Sequence, residues 1–357
     1  MKREWIRRMG RVVILGAVFL GILWSSTPAK ADTSLPASHL IPDIIWHQQQ
    51  NGLFCGPGSL EIVFDYFGPD IDQKAIADVA RSSSIGTWTF DIQRAGHFSY
   101  LSAAQGYYFP NEAPAAGFPE RPLGYASFSH ASDTFWVDDL KAIIAADLPV
   151  IVLNNFTPDA VGGDHYRVVI GYDDTLGLIY VSDPWGREFK QRTDKTGVAA
   201  YTYAEFQFMW NRASYGTDLP YFGVVMAPWQ VKLSSSGKLQ AGSVVTVTAD
   251  ITYPCPKPFD ATQFPASDAT ATIALPAGMS LVSGPESQSL GTLAAGSTRR
   301  VTWNVRLDAS PAGKTIQVEA KGYVSGAVPE AVWNGQSNSY PAYSYTDAIG
   351  GQGTLQF

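Results

Sequence analysis

Helical spacing of hydrophobic residues dominates the first part of the chain. The apolar positions from Leu60 to Phe67 are three and four residues apart, which predicts a helix over residues 57–67. A second helix is predicted directly after Asp72, whose side chain can cap it. A third is predicted over residues 138–146.

Strand patterns follow the third helix. The unbroken apolar run at residues 149–153 predicts a buried strand, and residues 166–172 and 178–182 predict two more, joined by a turn at residues 173–177. A short helix is predicted over residues 203–210. A helical first half followed by an antiparallel sheet is an α+β arrangement, which we assign to a first domain.

The last third of the chain has a different amino-acid composition, which is rich in Ser, Thr, Ala, Gly and Val. Strand-like runs separated by turn residues predict a β-sandwich of immunoglobulin-like type. These runs lie at residues 244–249, 269–273, 300–306 and 315–320. We therefore predict two domains, over residues 40–228 and 229–357.

The N-terminus has the pattern of a secretory signal peptide. A basic start precedes the uncharged residues 12–24, and small residues at Ala29 and Ala31 suit cleavage after Ala31. The apolar run is shorter than the roughly 20 residues of a membrane span. An uncleaved anchor is the alternative. We expect residues 1–31 to be removed and the protein to be secreted or extracytoplasmic.

Removal of that segment makes the chain more acidic. Residues 1–31 carry six Lys or Arg and one Glu, so losing five net positive charges takes the formal charge from −7 to −12. No Lys/Arg patch is evident, and phosphate binding requires one. We therefore predict no nucleic-acid partner.

Cys55 is the candidate nucleophile. It lies just before the predicted start of the first helix, two residues away, where free N–H groups and the helix dipole favour a thiolate. The chain has only two cysteines, so a disulfide between Cys55 and Cys255 is the alternative.

His165 is the candidate base among five histidines, because it follows Gly162-Gly163 at the start of a predicted strand. The return strand ends at Asp183, and antiparallel pairing would bring this carboxylate beside the imidazole. A plain turn aspartate before Pro184 is the alternative. No two histidines have metal-ligand spacing with a carboxylate, so we predict neither a metal nor a cofactor.

Gln49 is the candidate donor to the oxyanion that forms during acyl transfer. Its side-chain amide lies six residues before Cys55, whose backbone N–H can supply the second donor. Gln48 and Gln50 flank it, so the assignment can shift by one residue.

This order of Gln, Cys, His and Asp resembles the papain-like cysteine peptidases. More narrowly, Cys55-Gly56-Pro57, the segment DHYRVVIGYD at residues 164–173 and Asp183-Pro184-Trp185-Gly186 resemble the bacteriocin-processing, double-glycine leader peptidases and their secreted stand-alone relatives. The likeness spans about residues 43–226. It implies that Cys55 is the nucleophile, His165 the base and Asp183 the residue that orients it.

The resemblance has two departures. Phe54 stands where many members of that family have Asp, and no transporter segment follows, so leader cleavage coupled to export is not implied. The C-terminal region resembles accessory immunoglobulin-like modules of surface proteins, which implies association with a cell surface.

The sequence thus predicts a secreted cysteine hydrolase that cleaves peptide or protein substrates through an acyl-enzyme. Two alternatives stay open at this point. One is an amidase or an acyl or peptidyl transferase with the same triad, and the other is a non-catalytic secreted binding protein.

Overall fold

The computed structural model describes residues 34–83, 85–104, 118–160, 162–186, 197–211, 219–332 and 339–357. Residues 35–357 form one compact unit. The predicted signal peptide lies outside the described residues. Within the described ranges, no helix combines the length and apolar character needed to cross a bilayer.

The described residues form five helices. Their bounds are α1 Cys55–Phe67, α2 Gln73–Val79, α3 Thr89–Ala95, α4 Val137–Ile144 and α5 Tyr203–Asn211. Four of them confirm predicted helices, and Asp72 caps α2 by accepting the Lys74 N–H. Helix α3 was not predicted: it has seven residues like α2, but no capping side chain such as Asp72 marks its start.

The first region contains one seven-stranded antiparallel sheet. Its strands are β1 Ser38–Leu40, β2 Ala126–His130, β3 Val150–Asn155, β4 Asp164–Asp173, β5 Leu178–Ser182, β6 Val198–Thr202 and β7 Gly223–Ala227. The order is β2-β7-β3-β4-β5-β6, and β1 pairs with β4. The predicted strands at residues 149–153, 166–172 and 178–182 are confirmed. Strands β1, β2, β6 and β7, of at most five residues, were missed; the five-residue β5 was predicted because a turn joins it to the strand before it.

Both faces of this sheet are covered. Ile151 and Val168 pack in one cluster with Leu60 of α1. Val152 packs with Leu140 of α4 in the other cluster. That cluster also contains core residues of the C-terminal region. Helix α1, which begins at the candidate nucleophile Cys55, is therefore held against one face of the sheet by burial of apolar side chains. Such burial is the largest favourable contribution to folding.

The C-terminal region is all β. Its strands are β8 Gln230–Ser236, β9 Val244–Thr252, β10 Ala266–Ala274, β11 Met279–Ser283, β12 Ser287–Leu293, β13 Thr298–Leu307, β14 Thr315–Val328, β15 Ala331–Val332, β16 Ser339–Tyr340 and β17 Tyr343–Gln356. They form four-stranded sheets ordered β12-β10-β14-β17 and β11-β13-β9-β8, and a small β15-β16 pair. This is a β-sandwich, and all four predicted runs lie in its strands. Its immunoglobulin-like type and the domain boundary near residue 228 stay predictions.

A buried ion pair joins strand β17 to the first region. Asp347 is fully buried and accepts a hydrogen bond from Arg94 Nη2 at 2.8 Å. The hydroxyls of Ser99 and Ser102 each donate to its other oxygen at 2.8 Å. Because each of these groups is removed from water, the sandwich and the helical region stabilise one another through Asp347.

Substitution Asp347→Asn is expected to destabilise the whole unit. The change leaves the Arg94 guanidinium buried without its counter-ion, and breaking a buried pair costs about 3–5 kcal/mol. Urea unfolding followed by tryptophan fluorescence measures the loss. The matched control is Asp250→Asn, whose Arg300 partner lies on the exposed surface of the sandwich, and its unfolding curve should stay close to that of the parent. Equal curves for the two variants would contradict the assignment.

Candidate active site

Cys55 is the first residue of α1, two residues before the predicted helix start. Phe54 at the N-cap makes no side-chain cap, and the first turn holds no acidic residue, so nothing there competes for the helix dipole. The backbone N–H groups of Gly56 and Tyr166 both donate to the sulfur. Burial opposes ionisation of the thiol, but the hydrogen bond and charge of His165 outweigh it and lower the pKa of Cys55.

His165 lies at the start of β4 and is buried. Its Nε2 donates to Asp183 Oδ1 at 2.6 Å, which leaves Nδ1 for the hydrogen bond with Cys55. Burial lowers the pKa of the imidazole, but the Asp183 carboxylate outweighs it and raises that pKa above its ordinary value. The thiol becomes more acidic and the imidazole more basic, which is what a thiolate–imidazolium pair requires.

Asp183 directly follows β5, and the pairing of Val168 with Ser182 brings it beside the start of β4. Besides His165, its oxygens accept the Trp185 backbone N–H and the Arg167 Nε–H, both at 2.9 Å. Burial raises the pKa of this carboxyl, but Arg167 and His165 together hold it well below its usual range. The residue is therefore an anion that orients the imidazole, as predicted from the antiparallel pairing.

Arg167 is a residue of the candidate site that the sequence analysis missed. It lies two residues after His165 on β4, so both side chains leave the same face of the strand. Its buried guanidinium also donates to the carbonyls of Asn155 and Phe156, at 3.4 and 3.0 Å. A lone arginine within an apolar strand was the available signal, because such a charge requires a buried partner.

Residues 41–217, about half of the chain, match the model of the Peptidase_C39 like family. This region belongs to that family. The chain therefore contains a papain-like cysteine peptidase, and Cys55, His165, Asp183 and Gln49 fall within the matched residues. Curated proteins give no match to the chain.

Two solved structures are similar to part of the chain. Xylellain, a cysteine protease from Xylella fastidiosa, has 16% identity and a TM-score of 0.36, over 54% of this chain and 86% of its own. The peptidase domain of Streptococcus ComA, a bifunctional ABC transporter involved in quorum sensing, has 18% identity and a TM-score of 0.33, over 52% and 99%.

Two aromatic rings flank the imidazole of the peptidase. Phe156 lies 5.1 Å from the His165 ring and Trp185 lies 6.5 Å from it, both close to edge-on. The two rings also contact each other at 5.5 Å. His165 and Asp183 are at most 3% exposed, so these rings help to keep water away from the hydrogen bond between them.

Gln49 lies beside the triad, but its side-chain amide already donates a hydrogen bond within the chain. Its backbone N–H donates to the Pro184 carbonyl at 2.7 Å, next to Asp183. Its Nε2 donates to the Asn51 carbonyl at 2.6 Å, whereas its buried Oε1 has no hydrogen-bond partner in the described part of the chain. Gln49 also lines a cleft of about 430 Å³, together with Gln48, Gln50 and Trp185.

His47, Glu61 and Asp70 are the described residues that come nearest to a metal site. Their ligand atoms lie within 4.8 Å of one another, which sequence spacing could not show because the three come from separate segments. His47 Nε2 is hydrogen-bonded to Asp65 at 2.9 Å, and Gln73 Nε2 donates to Glu61. His47 Nδ1 also lies 3.6 Å from Glu61 Oε1, so these contacts tie the segment that carries His47 to helix α1.

Both cysteines are free thiols, which excludes the alternative of a disulfide between them. Their environments are opposite. Burial, with a smaller effect of Asp260, raises the pKa of Cys255 to about 11, whereas that of Cys55 is lowered. Cys255 is thus an unreactive internal reference for the nucleophile.

Substitution Arg167→Met is expected to shift the pH profile of the peptidase. Without the guanidinium, the pKa of Asp183 rises, so the carboxylate is lost at a higher pH as the solution is acidified. The acidic limb of kcat/KM should move to higher pH, and kcat should fall by about an order of magnitude through misplacement of His165. Steady-state kinetics from pH 4 to 9 measure both, and an unshifted acidic limb would exclude this role.

Substitution Gly58→Ala is expected to lower kcat about tenfold with little change in stability. A Cβ at this position would lie 3.0 Å from Pro184 Cβ and 3.4 Å from Gln49 Cβ, so α1 must move away from the Asp183 segment. Gly52→Ala is the matched control, because its Cβ would have nothing within 4 Å. Kinetics with circular dichroism distinguish the two, and similar kcat values would show that the close approach is dispensable.

Proposed function

We propose that this protein is a secreted peptidase that hydrolyses peptide bonds through a thioester acyl-enzyme on Cys55. The observation that carries the proposal is the line of hydrogen bonds from Cys55 through His165 to Asp183, with the pKa of the thiol lowered and that of the imidazole raised. Such a pair supplies both a nucleophile and an acid at one site.

In the first step the thiolate attacks the peptide carbonyl carbon, and a carbon–sulfur bond forms. The imidazolium of His165 then gives its Nδ1 proton to the leaving nitrogen as the carbon–nitrogen bond breaks, which releases the amine. In the second step a water gives a proton to His165 and its oxygen attacks the thioester. The carbon–sulfur bond breaks, and the acid is released with the thiolate restored.

The developing oxyanion would be held by the Cys55 backbone N–H and by Gln49 Nε2. In the structure Nε2 donates to the Asn51 carbonyl, and Oε1 has no hydrogen-bond partner among the described residues. Nε2 must give up its bond to Asn51 before it can donate to the oxyanion. The catalytic role of Gln49 therefore requires a local rearrangement.

The proposed location outside the cytoplasm rests on the N-terminal sequence, with its basic start, apolar run and small residues up to Ala31. We further propose that the β-sandwich serves as an accessory module for association with a cell surface. Edman sequencing of protein recovered from the medium would identify Asp32 as the first residue if cleavage follows Ala31.

Substitution Cys55→Ala should abolish turnover of peptide or protein substrates, by about a thousandfold or more, because no other group on the triad can form the acyl bond. The matched control is Cys255→Ser, which should retain activity. Iodoacetamide should modify Cys55 well before Cys255, as read by mass spectrometry of tryptic peptides. Retained turnover in the Cys55 variant would exclude the proposal.

A further experiment separates hydrolysis from transfer, since both use the same acyl-enzyme. The thioester is trapped on Cys55 by rapid acid quench, and turnover is repeated with increasing concentrations of a simple amine. Hydrolysis predicts that the free acid stays the main product, whereas predominant amide product would identify a transferase.

A further inference from the structure

A histidine and two carboxylates from separate segments converge beside helix α1, outside the catalytic site. His47 comes from the segment before the helix, Glu61 from its second turn and Asp70 from the loop after it. One ligand atom of each side chain lies within 4.8 Å of the other two. Glu61 follows Cys55 by six residues, which is about 9 Å along the helix axis. The group is thus separate from the catalytic thiol.

The imidazole and the buried carboxylate of this group are each oriented by a hydrogen bond on their far atom. His47 Nε2 is hydrogen-bonded to Asp65 Oδ2 at 2.9 Å, and Gln73 Nε2 donates to Glu61 Oε2 at 2.5 Å. These bonds leave His47 Nδ1 and Glu61 Oε1 facing one another. A carboxylate on one imidazole nitrogen and a cation on the other is the usual arrangement of a metal-binding histidine.

The separation of these two atoms is that of two ligands of one ion. His47 Nδ1 lies 3.6 Å from Glu61 Oε1, which is too far for a hydrogen bond. Two ligands at about 2.1 Å from a tetrahedral ion lie about 3.4 Å from each other. Glu61 is only 7% exposed, and its Oε1 has no hydrogen-bond partner among the described residues. A buried carboxylate oxygen without a donor is costly, and a cation between the two atoms would satisfy both.

The charges around His47 are unbalanced. The carboxylates of Glu61, Asp65 and Asp70 surround it, and Asp72 adds a further repulsion to the Glu61 charge. Among the described residues, no lysine or arginine forms an ion pair with any of these four carboxylates. An imidazolium can neutralise one of them at most. A divalent cation would supply two positive charges at the point where the carboxylates meet.

We propose that His47, Glu61 and Asp70 bind a zinc ion, with solvent completing its coordination. A nitrogen ligand beside two carboxylates favours Zn²⁺ over Ca²⁺ and Mg²⁺, which take oxygen ligands. Asp70 is exposed, so rotation of its side chain can bring its carboxylate onto the ion.

The ion would add a link between helix α1 and the segment that carries Gln49. One link already passes through Gln73, whose Oε1 accepts the Gln50 N–H and whose Nε2 donates to the Gln48 carbonyl, both at 2.9 Å. The same Nε2 donates to Glu61, and a zinc ion on that carboxylate would hold the segment from its other side. The proposal concerns binding and stability, so it does not depend on the proposed peptidase reaction.

Calorimetric titration of the full chain, without a metal-binding affinity tag, tests the proposal. Cys55→Ala is the background, because a thiolate and an imidazole also bind Zn²⁺. After treatment with EDTA and dialysis, the chain is titrated with ZnCl₂, and with CaCl₂ and MgCl₂ as comparisons. We expect one Zn²⁺ per chain, with Ca²⁺ and Mg²⁺ at least tenfold weaker. The melting temperature, followed by circular dichroism, should rise with Zn²⁺.

Variants in the same background then locate the ion. His47→Gln and Asp70→Asn should each weaken Zn²⁺ binding at least tenfold. Asp65→Asn keeps all three ligands but removes the carboxylate behind the imidazole, and should weaken binding about tenfold. His39→Gln is the matched control, because it removes another histidine that bonds a carboxylate, at 2.8 Å from Asp147, and should bind like the background. If His47→Gln fails to fold, Asp70→Asn on the exposed loop still decides the question.

Three results would overturn the proposal. An imidazolium held between Asp65 and Glu61 without a metal predicts no saturable binding of Zn²⁺. Affinity that is unchanged in both His47→Gln and Asp70→Asn would place the ion elsewhere. Equal affinity for Ca²⁺ and Zn²⁺ would exclude the imidazole as a ligand. Catalytic assays play no part in this test, so a failure here leaves the proposed peptidase activity untouched.

Discussion

The buried ion pair between Asp183 and Arg167 is the interaction on which the catalytic arrangement depends. Asp183 can orient His165 only as an anion, and burial alone would favour its protonated form. Arg167 supplies the opposing charge from the same strand as His165, and it also bonds the carbonyls of Asn155 and Phe156. The base, its orienting carboxylate and the segment that carries the flanking Phe156 ring are therefore held by one guanidinium.

Helix α1 links this arrangement to the rest of the molecule. Cys55 lies at its N-terminal end, where the Gly56 N–H donates to the sulfur, and its apolar face is fixed against the sheet. Its C-terminal end meets strand β17, whose Asp347 is paired with Arg94 in the helical region. The sandwich thus packs against the peptidase region through buried charge as well as apolar surface.

Several features escaped prediction for identifiable reasons. Helix α3 and strands β2 and β7 are short, so they carry little periodic signal. The group formed by His47, Glu61 and Asp70 comes from three separate segments of the chain. No local sequence spacing could therefore indicate it. Gln49 was placed beside the triad from its distance to Cys55, but that distance says nothing about the bond from its amide to Asn51.

The sequence by itself determined the main helices and strands, the β-rich C-terminal region and the choice of Cys55, His165 and Asp183 as candidates, which the structure brings together. These depend on local periodicity and on the alternating pairing of neighbouring strands, which are properties of nearby residues. Only the tertiary structure decided that Arg167 holds Asp183 ionised and that Asp347 neutralises Arg94. The electrostatic free energy of a buried charge depends on which groups surround it in space, and those groups come from distant parts of the chain.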